Sequence, residues 1–138
     1  GATVRRGPRL EMGFHPVELT PDGAADPLVS CLPATFTAYG WHSWEVDPAG
    51  RPPLARSAVS PQAVRYGPAA WGVQFRPEVT PAILRDWYAD IASDPDVVAT
   101  GLDAGAALEE LLAGPRLEEW MALGRRLFGR FADLAYAG

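Results

Sequence analysis

Lysine and asparagine are absent from these 138 residues, and cysteine occurs once. A single thiol, Cys31, excludes an internal disulfide and a cysteine-rich zinc site. Two scattered histidines, His15 and His42, add no metal-ligand spacing, so neither a metal nor a cofactor is expected. Positive charge is also short: 17 acids against 12 arginines give a net charge of −5. That balance repels a phosphate backbone and argues against nucleic acid as a partner. No apolar run approaches the roughly 20 residues needed to cross a bilayer, and mean hydropathy is −0.05, so no membrane partner is expected. The chain opens at Gly1-Ala2-Thr3-Val4 without an initiator methionine or a basic, apolar leader. The expectation is a cytoplasmic protein whose sequence continues upstream. With 14 prolines, 14 glycines and no lysine, the composition reads as codon bias. No single arginine can therefore be taken as selected over lysine.

What is present suffices for one folded unit, since 48% of the residues are hydrophobic. The first two thirds alternate short β-type runs with proline and glycine punctuation, and from Thr80 onward the apolar spacing becomes helical. Extended segments are expected over Leu10–Leu19, ending in the turn residues Thr20-Pro21-Asp22-Gly23, and over Phe36–Tyr39 and Leu54–Ser57. Gln62–Tyr66 and Trp71–Phe75, separated by Gly67-Pro68, read as an antiparallel hairpin. Thr80-Pro81 marks an N-cap followed by proline at the first helical position. Ile83, Leu84, Trp87, Tyr88 and Ile91 then share one face, and Asp94-Pro95 ends the run. A second helix is expected over Asp103–Ala113 with Leu108, Leu111 and Leu112 inward. A third carries Leu117, Trp120, Met121, Leu127, Phe128, Phe131 and Leu134.

The most informative stretch is Trp71-Gly72-Val73-Gln74-Phe75-Arg76-Pro77-Glu78-Val79-Thr80-Pro81, a strand that runs through a proline turn into a helix. It resembles the G-V-Q-F-H-P-E corner of class I glutamine amidotransferases, and especially domains related to the amidotransferase part of GMP synthase. Gly7-Pro8, Gly13-Phe14-His15-Pro16-Val17, Trp41-His42-Ser43 and Ala63-Val64-Arg65-Tyr66 agree with the second half of such a domain in the family's order. The resemblance covers Gly1 to about Trp87. It implies the C-terminal part of a flavodoxin-like, three-layer α/β/α domain of α/β class, with strands and an antiparallel hairpin first and helices last. Residues 1–93 would supply the amidotransferase-like portion and residues 94–138 a helical C-terminal extension.

The family reaction takes glutamine to glutamate and ammonia through a thioester. A thiolate attacks the amide, an imidazole moves the protons and a carboxylate orients the imidazole. The resemblance places Glu78 at the carboxylate position and Arg76 at the histidine position. A guanidinium has five donors, no acceptor and a pKa above about 12, so Arg76 cannot act as the base. The G-x-C-x-G-x-Q elbow that holds the family's nucleophile has no match in these residues, and Cys31 lacks flanking glycines. Its expected role is that of a small buried hydrophobe.

Trp41, His42 and Ser43 resemble the Y-H-S step that helps hold the glutamine carboxylate, which makes them substrate-binding candidates. The alternative is that Trp41 and Trp44 pack the sheet while His42 bonds nearby backbone. His15 is expected to cap an extended segment. Arg76 and Glu78, two apart, would lie on one face of a regular strand and could pair; otherwise Arg76 extends into solvent. The expectation is a glutamine amidotransferase-like chain that is inactive alone, with a synthetase or ligase partner, a separate N-terminal half or a second copy as partner. A non-catalytic binding or regulatory module is the alternative, and an unrelated α+β binding domain a third reading.

Overall fold

The computed structural model describes residues 2–136. Five strands come first apart from one short helix: β1 (Val4–Leu19), β2 (Thr35–Val46), β3 (Pro53–Arg56), β4 (Pro61–Gly67) and β5 (Ala70–Val73). The helices are α1 (Pro21–Ala25), between β1 and β2, then α2 (Pro81–Ala89), α3 (Pro95–Val98), α4 (Ala104–Ala113) and α5 (Arg116–Tyr136). The sheet order is β2-β1-β3-β4-β5, and every pairing is antiparallel. After β5 the chain crosses back to the opposite margin. Phe75 bridges Gly40 of β2, and the Arg76 N–H donates to the Tyr39 carbonyl at 2.8 Å. The sheet therefore curls until its two margins meet, which leaves Tyr39-Gly40 covered rather than open to solvent.

Alternation along the β1–β2 pair makes two distinct faces. Met12 opposes Trp41 and Phe14 opposes Tyr39 in register. Trp41 packs edge-on against Trp87 and Tyr88 of α2 at 5.7 and 5.6 Å. The other face pairs Val17 with Phe36, His15 with Ala38, Gly13 with Gly40 and Glu11 with His42. There Phe36, Phe75 and Trp120 form an aromatic trio: Phe36 stacks on Trp120 at 6.1 Å and Phe75 meets it edge-on at 5.5 Å. Trp120 is 1% exposed, so α5 shares the core of the sheet. Burying one large side chain to this degree contributes about 1.5–3 kcal/mol from solvent removal alone.

Several boundaries differ from the sequence reading. β1 begins at Val4, because a register shift between Arg6 and Glu11 absorbs Gly7-Pro8 within the strand. Thr20-Pro21-Asp22-Gly23 is the start of α1 rather than a turn, with the Thr20 hydroxyl accepting from the Gly23 N–H at 3.1 Å. α2 stops at Ala89, and Asp94, expected to end that helix, instead caps α3 by accepting from the Asp96 and Val97 N–H groups. Phe128 and Phe131 are about half exposed although both were expected inward, because the buried stripe of α5 runs through Leu117, Trp120, Gly124 and Leu127. Among the described residues no helix is long and apolar enough to cross a membrane.

Candidate functional site

The turn after β5 is held from three sides. Thr80 caps α2 by accepting from the Ile83 N–H at 3.3 Å, with Pro81 at the first helical position as expected. The Arg76 N–H is fixed on Tyr39, and the Arg76 carbonyl accepts from the Trp120 indole N–H at 2.8 Å. Arg76 and Glu78 thus sit on a turn, not on the regular strand that their spacing suggested. Their charged groups still approach, with Nη1 and Oε1 3.7 Å apart, while both side chains stay about two fifths exposed. Pairing and solvent contact coexist, and so exposed a pair contributes only about 0–1 kcal/mol. The guanidinium also lies 5.5 Å over the Trp87 ring.

A cleft of about 720 Å³ opens beside this turn. Trp41, His42, Ser43 and Arg76 all line it, so four of the five residues singled out from sequence meet in one place; Glu78 does not line it. The Trp41 indole N–H donates to Asp94 Oδ2 at 2.9 Å, which anchors one wall. Arg6 pairs with Asp96. The Ser43 hydroxyl, and then Arg6, hold the Asp96 carboxyl below its ordinary range. Trp44, which the alternative reading had packing the sheet, is 53% exposed and lines the cleft beside Ser43. Asp94 was read from sequence only as a helix end, and no local pattern announced Arg6 or Asp96 as cleft residues.

Beneath His42 lies a buried polar cluster that the sequence reading missed. Glu11, 6% exposed, accepts through Oε2 from the Ser60 hydroxyl and the Gln62 amide, both at 2.8 Å. His42 Nε2 is 3.4 Å from the same oxygen, and His15 Nε2 is 3.6 Å from Oε1. His42 Nδ1 is 3.1 Å from the Trp44 carbonyl and His15 Nδ1 is 3.2 Å from the Gly13 carbonyl. The backbone bond that the alternative reading gave His42 is present. His15 does not cap the end of an extended segment; it sits inside β1, four residues and one face from Glu11. Burial lowers the His42 pKa, with Glu11 and the Trp44 carbonyl opposing. The signal for this cluster was the i, i+4 spacing of Glu11 and His15, which reads equally as a solvated strand face. Among the described residues no group of three or more histidine, cysteine or acidic side chains is arranged to hold a metal ion.

Cys31 lies in a single 3₁₀ turn, Val29–Cys31, partly buried and away from the cleft. Burial pushes its thiol up, with Arg126 and Arg130 opposing. Iodoacetamide at pH 7.5 is therefore expected to alkylate Cys31 several-fold more slowly than a free small thiol. Labelling at the rate of the free thiol would mean that it is an activated cysteine after all.

No family model and no curated protein sequence matches the chain. Solved structures do match. A glutamine amidotransferase from Thermotoga maritima shares 25% identity at a TM-score of 0.72, covering 95% of this chain and 55% of that one. A glutamine amidotransferase from Methylobacillus flagellatus shares 17% at 0.72, covering 97% and 56%. A candidate GMP synthase subunit from Thermoplasma acidophilum shares 19% at 0.60, covering 99% and 50%. The chain therefore has a class I glutamine amidotransferase-like fold and spans about half the length of the structures it matches.

Proposed function

We propose that the chain is the C-terminal portion of a class I glutamine amidotransferase-type domain and that, as these 138 residues, it does not hydrolyse glutamine. In this reading residues 1–93 form the amidotransferase-like portion, and residues 94–138 form an extension that braces the Arg76-Pro77 turn through Trp120 and Gly124. The observation that carries it is the meeting of Trp41, His42, Ser43 and Arg76 in one cleft next to Glu78. The cleft keeps the surroundings of a glutamine site, with Ser43 and the adjoining backbone as carboxylate contacts. A permanent cation stands where a reversible proton acceptor is needed. None of the residues forms a G-x-C-x-G-x-Q elbow, and the lone thiol is away from the cleft. The complementary partner is a segment carrying that elbow, supplied by the same polypeptide, a separate protein or a second copy. An ammonia-accepting synthetase or ligase in the cytoplasm completes the assembly.

Purified chain given L-glutamine should release ammonia no faster than the uncatalysed background, and Arg76→His alone should not change that. Where the reading frame upstream supplies the elbow, Arg76→His in that longer protein is expected to raise glutaminase activity by several orders of magnitude. Equal, robust rates in both versions would overturn the account of Arg76. A second reading, a non-catalytic binding or regulatory module, is favoured by the Arg76–Glu78 pairing, which neutralises the charge beside the cleft. Glutamine binding without turnover, in the longer protein and in its Arg76→His variant alike, would select it.

A further inference from the structure

The buried cluster under the cleft has an unbalanced proton count. A backbone carbonyl only accepts, so the contacts of His15 Nδ1 with Gly13 and of His42 Nδ1 with Trp44 require both Nδ1 atoms to carry hydrogen. In the neutral rings both Nε2 atoms then present lone pairs, and both are buried without a hydrogen-bond partner among the described residues. Each faces an oxygen of Glu11, at 3.6 and 3.4 Å. Lone pairs directed at an ionised, buried carboxylate are unfavourable, and a proton placed between them removes the conflict. Oε2 of Glu11 already accepts from Ser60 and Gln62. Oε1 accepts from no described residue, so its open lone pair is the one that faces His15.

We propose that Glu11, His15 and His42 form a proton-binding site beneath the cleft. One proton is held between Glu11 Oε1 and His15 Nε2, and a second, taken up by His42 Nε2 on acidification, changes the charge of the cleft floor. The first proton draws its two atoms from 3.6 Å into hydrogen-bond range. The second is the one that a cleft occupant would sense, because His42 lies between Trp41 and Ser43 on the lining. The groups around the site come from four directions. β1 supplies Glu11 and His15, and β2 supplies His42. Ser57, Ser60 and Gln62 close the side toward β4 without titrating. Arg76, on the turn after β5, opposes protonation of His42, as His15 does, and the cleft that His42 lines also carries Arg6, Asp86, Asp90, Asp94 and Asp96. Gly40 makes the arrangement sterically feasible: a Cβ at that position would lie 2.4 Å from His15 Cε1 and push the ring away from Glu11.

The test is an imidazole ¹⁵N NMR titration of the folded chain between about pH 5 and pH 9, the range in which histidine titrates. In the wild type both rings should carry hydrogen on Nδ1, and their curves should be mutually dependent, with two inflections rather than one. Glu11→Gln removes the attracting charge and should lower the His42 midpoint by about one pH unit or more. Gly40→Ala displaces His15, leaves Glu11 charged beside His42 and should move that midpoint the opposite way. A purely structural role for Glu11 would alter stability without producing these opposite shifts. Should either variant fail to fold, the wild-type curves decide. Two independent single-step titrations, or Nε2-protonated neutral rings, would overturn the proposal.

Discussion

Replacing Trp120 by alanine is expected to destabilise the chain by about 3–5 kcal/mol, the range for removing a large aromatic from a packed core. The residue is 1% exposed, stacks on Phe36, meets Phe75 edge-on and donates to the Arg76 carbonyl at 2.8 Å. Truncation leaves a cavity between two rings and removes the side-chain donor from that carbonyl, and the two losses compound. For a domain of this size the loss is a large share of total stability. Urea denaturation followed by circular dichroism measures it. Trp120→Phe keeps most of the stacking and loses the hydrogen bond, so roughly 1–2 kcal/mol is expected. An alanine variant within 1 kcal/mol of wild type would mean that α5 is not part of the core.

The second large effect reverses the usual sign of a glycine substitution. In a helix interior, glycine to alanine ordinarily gains up to about 1 kcal/mol. α5 contains two such glycines with different surroundings. A Cβ on Gly129 would meet nothing within 4 Å, whereas one on Gly124 would fall 2.2 Å from the Pro77 carbonyl oxygen. That oxygen belongs to the turn pinned by Tyr39 and Trp120, so it cannot retreat without breaking those bonds. Gly129→Ala should therefore stabilise by roughly 0.5–1 kcal/mol, and Gly124→Ala should destabilise by about 1–3 kcal/mol. Thermal melts of the two variants beside wild type read the difference directly. A gain at both positions would show that α5 stands off the turn. Trp120 and Gly124, one helical turn apart, act on adjacent residues, so the double variant should fall short of the sum.

Local chemistry made some of this architecture readable. The Gly67-Pro68 break lay between two alternating runs and marked the β4–β5 hairpin, and Thr80-Pro81 located the start of α2 because cap and proline act within one turn. The same local logic failed where distant residues decide. The extended segment was expected only from Leu10, yet β1 runs from Val4 through Gly7-Pro8 because its pairing with β2 shifts register there. Phe128 and Phe131 fit an apolar stripe, but the contact that orients α5 is Trp120 against a turn 44 residues earlier. Of the candidate site, the G-V-Q-F-R-P-E corner and the Trp41-His42-Ser43 step were legible as motifs. Glu11 was not, since its burial depends on Ser60 and Gln62, some fifty positions away. A carboxylate on a strand reads as solvated until its partners are known. Arg6, Asp94 and Asp96 reach the cleft for the same reason, through tertiary pairing that no spacing encodes.

The bridge between Gly40 and Phe75 bears on how the molecule is assembled in time. The β1–β2 pair needs only residues 4–46, so it can form while later residues are still being synthesised. Its outer margin stays unoccupied until Phe75 arrives, and the aromatic trio cannot close until Trp120 follows. Those encounters carry the loop-closure entropy, which places them late and makes them slow relative to the hairpin. Between the two events a nascent chain presents an open, partly apolar strand to its neighbours, and that interval is when co-translational protection matters most.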